Sequence, residues 1–197
     1  MSSSETRVEE IEHKEYYESF SVPFQRFGFW VFLSGEIIIL GGLVAAAILF
    51  RLSYPNWFES STYTNVIISS INTFVLLTGS LTAVLAHKNA VDGKWDKVQL
   101  FLGLTALAGL TFISIKFIEY SREIHHGFVP SKDVFWMFYY GITGIHGAHV
   151  LAGTFIILGV MLFLKKKKLV EAVENAGLYW HFVDIVWLYI FPLFYLT

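Results

Sequence analysis

The sequence predicts an all-α fold: a polytopic membrane helical bundle with five transmembrane helices, its N-terminus cytoplasmic and its C-terminus external. Three observations predict it. Of 197 residues, 55% are hydrophobic and 15% are charged, against roughly 25% charged in an ordinary soluble domain. The apolar residues gather into five runs, each long enough to cross about 30 Å of hydrocarbon. The Lys and Arg residues between those runs lie mostly on one side.

Residues 1–26 form a polar, acidic tail carrying Glu5, Glu9, Glu10, Glu12, Glu15 and Glu18. Within it the stretch 8–20 suits a short surface helix, with Tyr16, Tyr17 and Phe20 at the interface. No cleavable signal peptide is expected, because the first apolar run starts only near Phe27 and is too long for a signal core. Residues 27–197 make up the bundle, with spans at about 27–50, 63–86, 98–120, 134–164 and 178–196. The fourth is long enough to tilt or to project. Short polar connections make consecutive helices antiparallel neighbours.

Orientation follows from the cations. Arg7, Lys14, Arg26, Lys88, Lys94, Lys97 and Lys165 to Lys168 share one side, ten in all, against Arg51, Arg122 and Lys132 on the other. The tryptophans Trp57, Trp95, Trp136 and Trp180 sit near span ends, where an interfacial aromatic belt is expected.

Composition removes several chemistries. The formal net charge is -2, which argues against a nucleic-acid partner. Cysteine is absent, so disulfides, thiolate catalysis and iron–sulfur ligation are excluded, and soft copper ligands are scarce with 3 Met.

What needs explaining is the set of ionisable groups inside the spans, since such groups are expensive in lipid. Glu36 lies about nine residues into the first span, roughly 13 Å below its start, and calls for a donor from the fourth or fifth span. Ser69, Asn72, Thr73, Gly79, Ser80 and Ala83 fall mostly on one face of the second span, an expected packing seam. In the third, Thr105, Gly109, Phe112, Lys116 and Glu119 recur at steps of three and four, and Lys116 can pair with Glu119. The fourth carries Gly141-x-x-Gly144-Ile145-His146-Gly147-Ala148-His149, glycine-rich enough to expect a close-packed neighbour. The fifth adds His181 and Asp184, three residues apart on one face. His146 and His149 with the carboxylates could ligate a metal. The same inventory could instead be a satisfied polar network or a proton relay, and the residues alone leave the three open. By depth, two neighbouring clusters are easier to build than one site holding them all.

Four of these stretches resemble a known family. Tyr179-Trp180-His181-Phe182-Val183-Asp184-Ile185-Val186-Trp187 closely resembles the last-helix signature of subunit III of haem-copper terminal oxidases. Thr143-Gly144-Ile145-His146-Gly147-Ala148-His149-Val150 resembles the preceding signature, Ser34-Gly35-Glu36 its intramembrane carboxylate, and Ile115 to Tyr120 its Glu-Tyr segment. The chain is similar to the five-helix form, lacking the first two helices of the seven-helix one.

The resemblance implies a non-redox accessory subunit of a respiratory oxidase that reduces oxygen to water and translocates protons. Haem and copper would lie in partner subunits, and Glu36, Lys116, Glu119, His146, His149, His181 and Asp184 would be structural, lipid-related or proton-related rather than catalytic or metal-ligating. It also implies subunits I and II and further small subunits as partners, bound phospholipid, and a bacterial or archaeal cell membrane. A five-span relative of nitric oxide reductases and a stand-alone metalloenzyme are the rival readings. The electron donor, cytochrome c or quinol, is not encoded here.

Overall fold

The computed structural model describes residues 24–164 and 169–196. The acidic tail with its expected surface helix, and the Lys165–Lys168 run, lie outside them. The chain divides into two compact units, Met1–Ile38 and Ile39–Thr197. Every described element is helical: α1 (Phe24–Ser53), α2 (Trp57–Ser61), α3 (Val66–Val91), α4 (Trp95–His125), α5 (Val134–Leu164) and α6 (Val170–Tyr195). All but α2 are long and apolar enough to cross a membrane.

The helices extend beyond their apolar runs because their ends are set by local chemistry. α3 stops where Gly93 takes φ 73°, with Lys94 N–H closing on Asn89 O at 2.9 Å. α4 runs past Tyr120 to His125, and Gly127 at φ 81° ends it, letting Phe128 N–H reach Glu123 O at 3.0 Å. α6 starts at Val170, well before Leu178, because Val173, Ala176 and Gly177 already turn a buried face inward. At N-termini, Asn65 Oδ1 accepts from Ile68 N–H at 3.0 Å and Asp133 Oδ1 from Trp136 N–H at 3.0 Å. Asp133 Oδ2 also accepts from Ser60 at 2.8 Å, which ties α2 to the start of α5. In the loop after α3, Lys94 sits 2.9 Å from Asp92 and lowers that exposed carboxyl's pKa.

Within the second unit, α3, α4, α5 and α6 form a closed cycle: α3 packs on α4, α4 on α5, α5 on α6, and α6 returns to α3. This is the neighbour order that short connections impose on an up-and-down bundle. Polarity is inverted relative to a soluble protein. Ile67, Phe74 and Phe117 are each more than 70% exposed, whereas Asn72, Thr105, Lys116, Glu119, His146 and Asp184 are buried. An outer surface of that kind belongs in lipid. Lipid supplies no hydrophobic drive for helix association, so close packing and interior hydrogen bonds must hold the cycle together.

Close packing centres on Trp180. Its indole fills niches left by glycines on three other helices. A Cβ at Gly79 would sit 3.2 Å from Trp180 Cζ2, one at Gly109 2.8 Å from Cη2, and one at Gly153 3.4 Å from Cε3. A Cβ at Gly109 would also collide with the Thr154 hydroxyl. The expected tryptophan belt is therefore corrected: Trp57, Trp136 and Trp180 are buried, and only Trp95 of the four is half-exposed. Trp57 stacks on Phe194 at 5.7 Å and meets Phe135 edge-on at 5.1 Å. Large rings fill the bundle because glycines and short side chains leave room for them. The glycines of the α5 motif are not the tight ones, since added Cβ atoms at Gly144 and Gly147 would meet only ordinary contacts, at 3.9 and 3.7 Å.

Candidate functional site

The polar groups occupy successive layers along the interior of the four-helix cycle. The first layer grows from one stripe of α4, on which Thr105, Gly109, Phe112, Lys116, Glu119 and Glu123 are all buried. Steps of four and three keep them on one face.

Lys116 Nζ donates to Tyr195 OH at 2.7 Å, Glu119 Oε2 at 3.0 Å and Tyr139 OH at 3.1 Å. An ammonium has three protons, so these partners exhaust it. Tyr195 OH lies 2.9 Å from Glu119 Oε1, and Tyr139 OH lies 3.0 Å from Glu123 Oε1. One proton assignment satisfies all of this: Lys116 donates three times, Tyr195 donates to Glu119, and Tyr139 donates to Glu123. Within this layer, Glu123 Oε2 accepts no hydrogen bond from the described residues. The rings of Tyr120, Tyr139, Tyr195 and Trp187 surround the ammonium at 4.8, 4.9, 5.4 and 5.9 Å. Aromatic faces attract a cation in a dry setting, which offsets part of its desolvation. Tyr120 also bonds to Thr143, whose hydroxyl donates to Tyr139 O at 2.6 Å.

The second layer holds His146. Its ring stacks on Trp187 at 5.0 Å and meets Phe112 edge-on at 5.6 Å. It is completely buried, and neither ring nitrogen has a hydrogen-bond partner among the described residues. Trp187 Nε1–H donates to Thr73 Oγ1 at 2.9 Å, and Asn72 Nδ2 donates to Phe112 O at 3.3 Å. His149 lies elsewhere, half-exposed, with Nδ1 2.8 Å from its own helix carbonyl at Ile145.

The third layer joins α3, α4 and α6. Thr82 and Thr105 hydroxyls are 2.8 Å apart, and Thr82 donates to Gly79 O at 2.8 Å. Ser80 Oγ lies 2.9 Å from His181 Nδ1. Asp184, one turn further along α6, is 5% exposed.

The structure thus joins Lys116 with Glu119, groups His181 with Ser80 one turn from Asp184, and separates His146 from His149. Glu36 belongs to the first unit, and its pairing with a donor from α5 or α6 stays a prediction. Among the described residues no three His, Asp or Glu side chains converge as metal ligands. Sequence reasoning missed Glu123, Tyr139 and Tyr195. Glu123 continues the α4 stripe at a step of four, but it lies in the polar stretch that follows the apolar run ending at Tyr120. Tyr195 comes from 79 residues away along the chain, and no local pattern announces it.

A family model described as cytochrome c oxidase subunit III matches residues 25–197. Cytochrome c oxidase subunit 3 of Bacillus subtilis (strain 168) is 34% identical over 174 residues, covering 86% of this chain and 84% of its own length. Quinol oxidase subunit 3 of the same organism is 30% identical over 198 residues, covering 94% and 97%. Cytochrome c oxidase subunit 3 of Thermostichus vulcanus is 31% identical over 194 residues, covering 94% and 92%. With five membrane-length apolar helices and a match across nearly all of its length, this multi-pass membrane protein belongs to the cytochrome c oxidase subunit III family.

Proposed function

We propose that the chain is the accessory, non-redox subunit III of a respiratory haem-copper oxidase in a cell membrane. In this reading it packs against subunit I, supports proton uptake from the cytoplasmic side over many turnovers, and holds phospholipid. Oxygen chemistry and the haem and copper groups belong to subunits I and II, and further small subunits complete the assembly. The N-terminus is cytoplasmic and the C-terminus external.

The observation that carries the reading is the family match over residues 25–197, which takes in all five apolar helices. The interior chemistry supports it. Lys116, Glu119, Tyr139 and Tyr195 spend their polar atoms on one another, as a scaffold requires and a catalytic centre does not. The donor, cytochrome c or quinol, is left to the partner subunits, since relatives named for both oxidases match to a similar degree.

The test is purification of the chain with its natural companions, followed by a haem spectrum and elemental analysis. The expected result is a haem- and copper-bearing complex from which this chain, once dissociated, carries neither. A chain that purifies without a haem-bearing companion, or that retains a stoichiometric metal by itself, overturns the reading. Removal of the subunit is expected to leave initial turnover measurable but to shorten the active lifetime of the remaining complex.

A further inference from the structure

The layer around Lys116 is built of oxidisable rings in mutual contact. From centre to centre, Tyr139 lies 5.1 Å from Tyr140, 5.3 Å from Trp136, 5.9 Å from Tyr195 and 6.0 Å from Tyr120. Trp187 follows Tyr195 at 6.3 Å. Phenols and indoles lose an electron more readily than most side chains, and rings this close exchange electrons in short steps. We infer that Tyr139, with Glu123 as its proton acceptor, is a one-electron oxidation site: it gathers oxidising equivalents from the surrounding rings and holds them as a neutral tyrosyl radical. The chain needs no resident redox group for this. The source of the oxidant rests on the accessory reading above, since oxidants of the hydroxyl-radical class arise beside incomplete oxygen reduction.

The step balances within the layer. Tyr139 gives one electron to the oxidant, which is reduced by one. Its phenolic proton moves along the 3.0 Å hydrogen bond to Glu123 Oε1. The phenol O–H bond breaks, and a carboxylic acid O–H bond forms. A one-electron reductant returns the electron later, and the proton goes back along the same bond.

Charge favours that step. Two buried carboxylates face one ammonium here, and unbalanced charge is costly in a low-dielectric interior. Loss of one electron, with the proton kept on Glu123, brings the layer to neutrality.

Hydrogen bonding selects the acceptor and steadies the product. Oxidised phenols are strong acids, so they need a base already in contact. Glu119 has both oxygens engaged, Oε1 by Tyr195 and Oε2 by Lys116. Glu123 accepts nothing at Oε2 from the described residues, so it is the less compensated carboxylate. Lys116 Nζ, 3.1 Å from Tyr139 OH, still donates to that oxygen after the proton has left. Tyr139 is 0% exposed, which keeps the radical from solvent and lipid.

The experiment uses the intact complex. The chain has no cysteine, so S131C in the exposed loop before α5 gives this subunit one attachment point for a ruthenium polypyridyl. Complex without S131C, treated identically, supplies the background. Light and a cobalt(III) acceptor turn the label into ruthenium(III), the oxidant. Frozen samples are read by electron paramagnetic resonance, with ring-deuterated tyrosine to identify a tyrosyl signal, and oxidation products are mapped by peptide mass spectrometry. A tyrosyl radical is expected, with product on Tyr139. E123Q, which keeps the phenol, is expected to lower the radical yield at least tenfold, and Y189F, on the exposed side of α6, to leave it unchanged. No tyrosyl signal, products confined to Tyr63 or Trp136, or an undiminished yield in E123Q overturns the assignment. If E123Q fails to assemble, the peptide map of the labelled parent decides alone. Because the label supplies the oxidant, failure here leaves the accessory reading standing. A chain purified without a haem-bearing companion would instead remove the oxidant's source and leave the chemistry of Tyr139 intact.

Discussion

Lys116 Nζ lies 2.7 Å from the Tyr195 hydroxyl, so the middle of α4 is bonded to the last turn of α6. The contact closes the helix cycle from inside. It also makes the ionic layer depend on an aromatic residue 79 positions away along the chain.

Removing the ammonium leaves Glu119 and Glu123 buried without their cation. Lys116→Met is expected to destabilise the folded chain by about 3–5 kcal/mol, the usual cost of stranding one half of a buried pair. Lys116→Met combined with Glu119→Gln should recover a large part of that, because the second change removes the stranded charge. The measurement is the thermal midpoint of the detergent-solubilised complex together with its yield per unit membrane. A double variant no better than Lys116→Met would show that the ammonium acts through something other than Glu119.

Tyr195→Phe deletes one hydroxyl and keeps the ring. It should cost about 1.5–3 kcal/mol, the value of hydrogen bonds to charged groups, and lower the same thermal midpoint. Tyr189→Phe, at an exposed position on α6, should change nothing.

Gly109→Ala is expected to lower complex yield sharply, since its Cβ would meet both Thr154 and the Trp180 ring. Gly141→Ala is the matched control, for a Cβ there meets nothing within 4 Å. Both changes raise helix propensity by about 1 kcal/mol, so a difference between them isolates packing. Equal yields would mean that Trp180 can shift out of its niche.

His146→Phe is expected to assemble at wild-type yield and turn over normally. The ring keeps its stack on Trp187, and no hydrogen bond among the described residues is lost. Replacing an unpaired buried polar group by an apolar one of like shape is nearly neutral or stabilising. Normal assembly with a loss of turnover would instead mark His146 as part of a proton path.

Asp184→Ala is expected to reduce the amount of assembled complex, read as haem per subunit III in purified membranes. Asp184→Asn should do less harm, since it keeps the volume and one acceptor. Ser80→Ala, which removes the partner of His181 Nδ1, should fall between the wild type and Asp184→Ala.

The membrane class and the number of spans are legible in the sequence because length and apolar composition are local properties. The Lys116–Glu119 pair is legible for the same reason, three residues apart on one helix. Tyr139 and Tyr195 are not, because what recruits them is the return of α6 to the interior of the cycle, a matter of topology rather than spacing. Trp180 misleads for a related reason. Beside a span end a tryptophan reads as an interfacial anchor, and only the glycines of three other helices reveal it as interior. The two histidines of α5 share a sequence motif but not an environment: His146 faces Trp187, and His149 folds back onto its own carbonyl.

Because Trp180, Asp184, Trp187 and Tyr195 all ride on the C-terminal helix, the order of synthesis matters. While the ribosome is still making α6, the three earlier helices of the cycle hold empty glycine niches and a lysine without its tyrosine. Without α6, Lys116 and Glu119 lack the Tyr195 hydroxyl that bonds to both, so the interior of the cycle is complete only once that helix is in place.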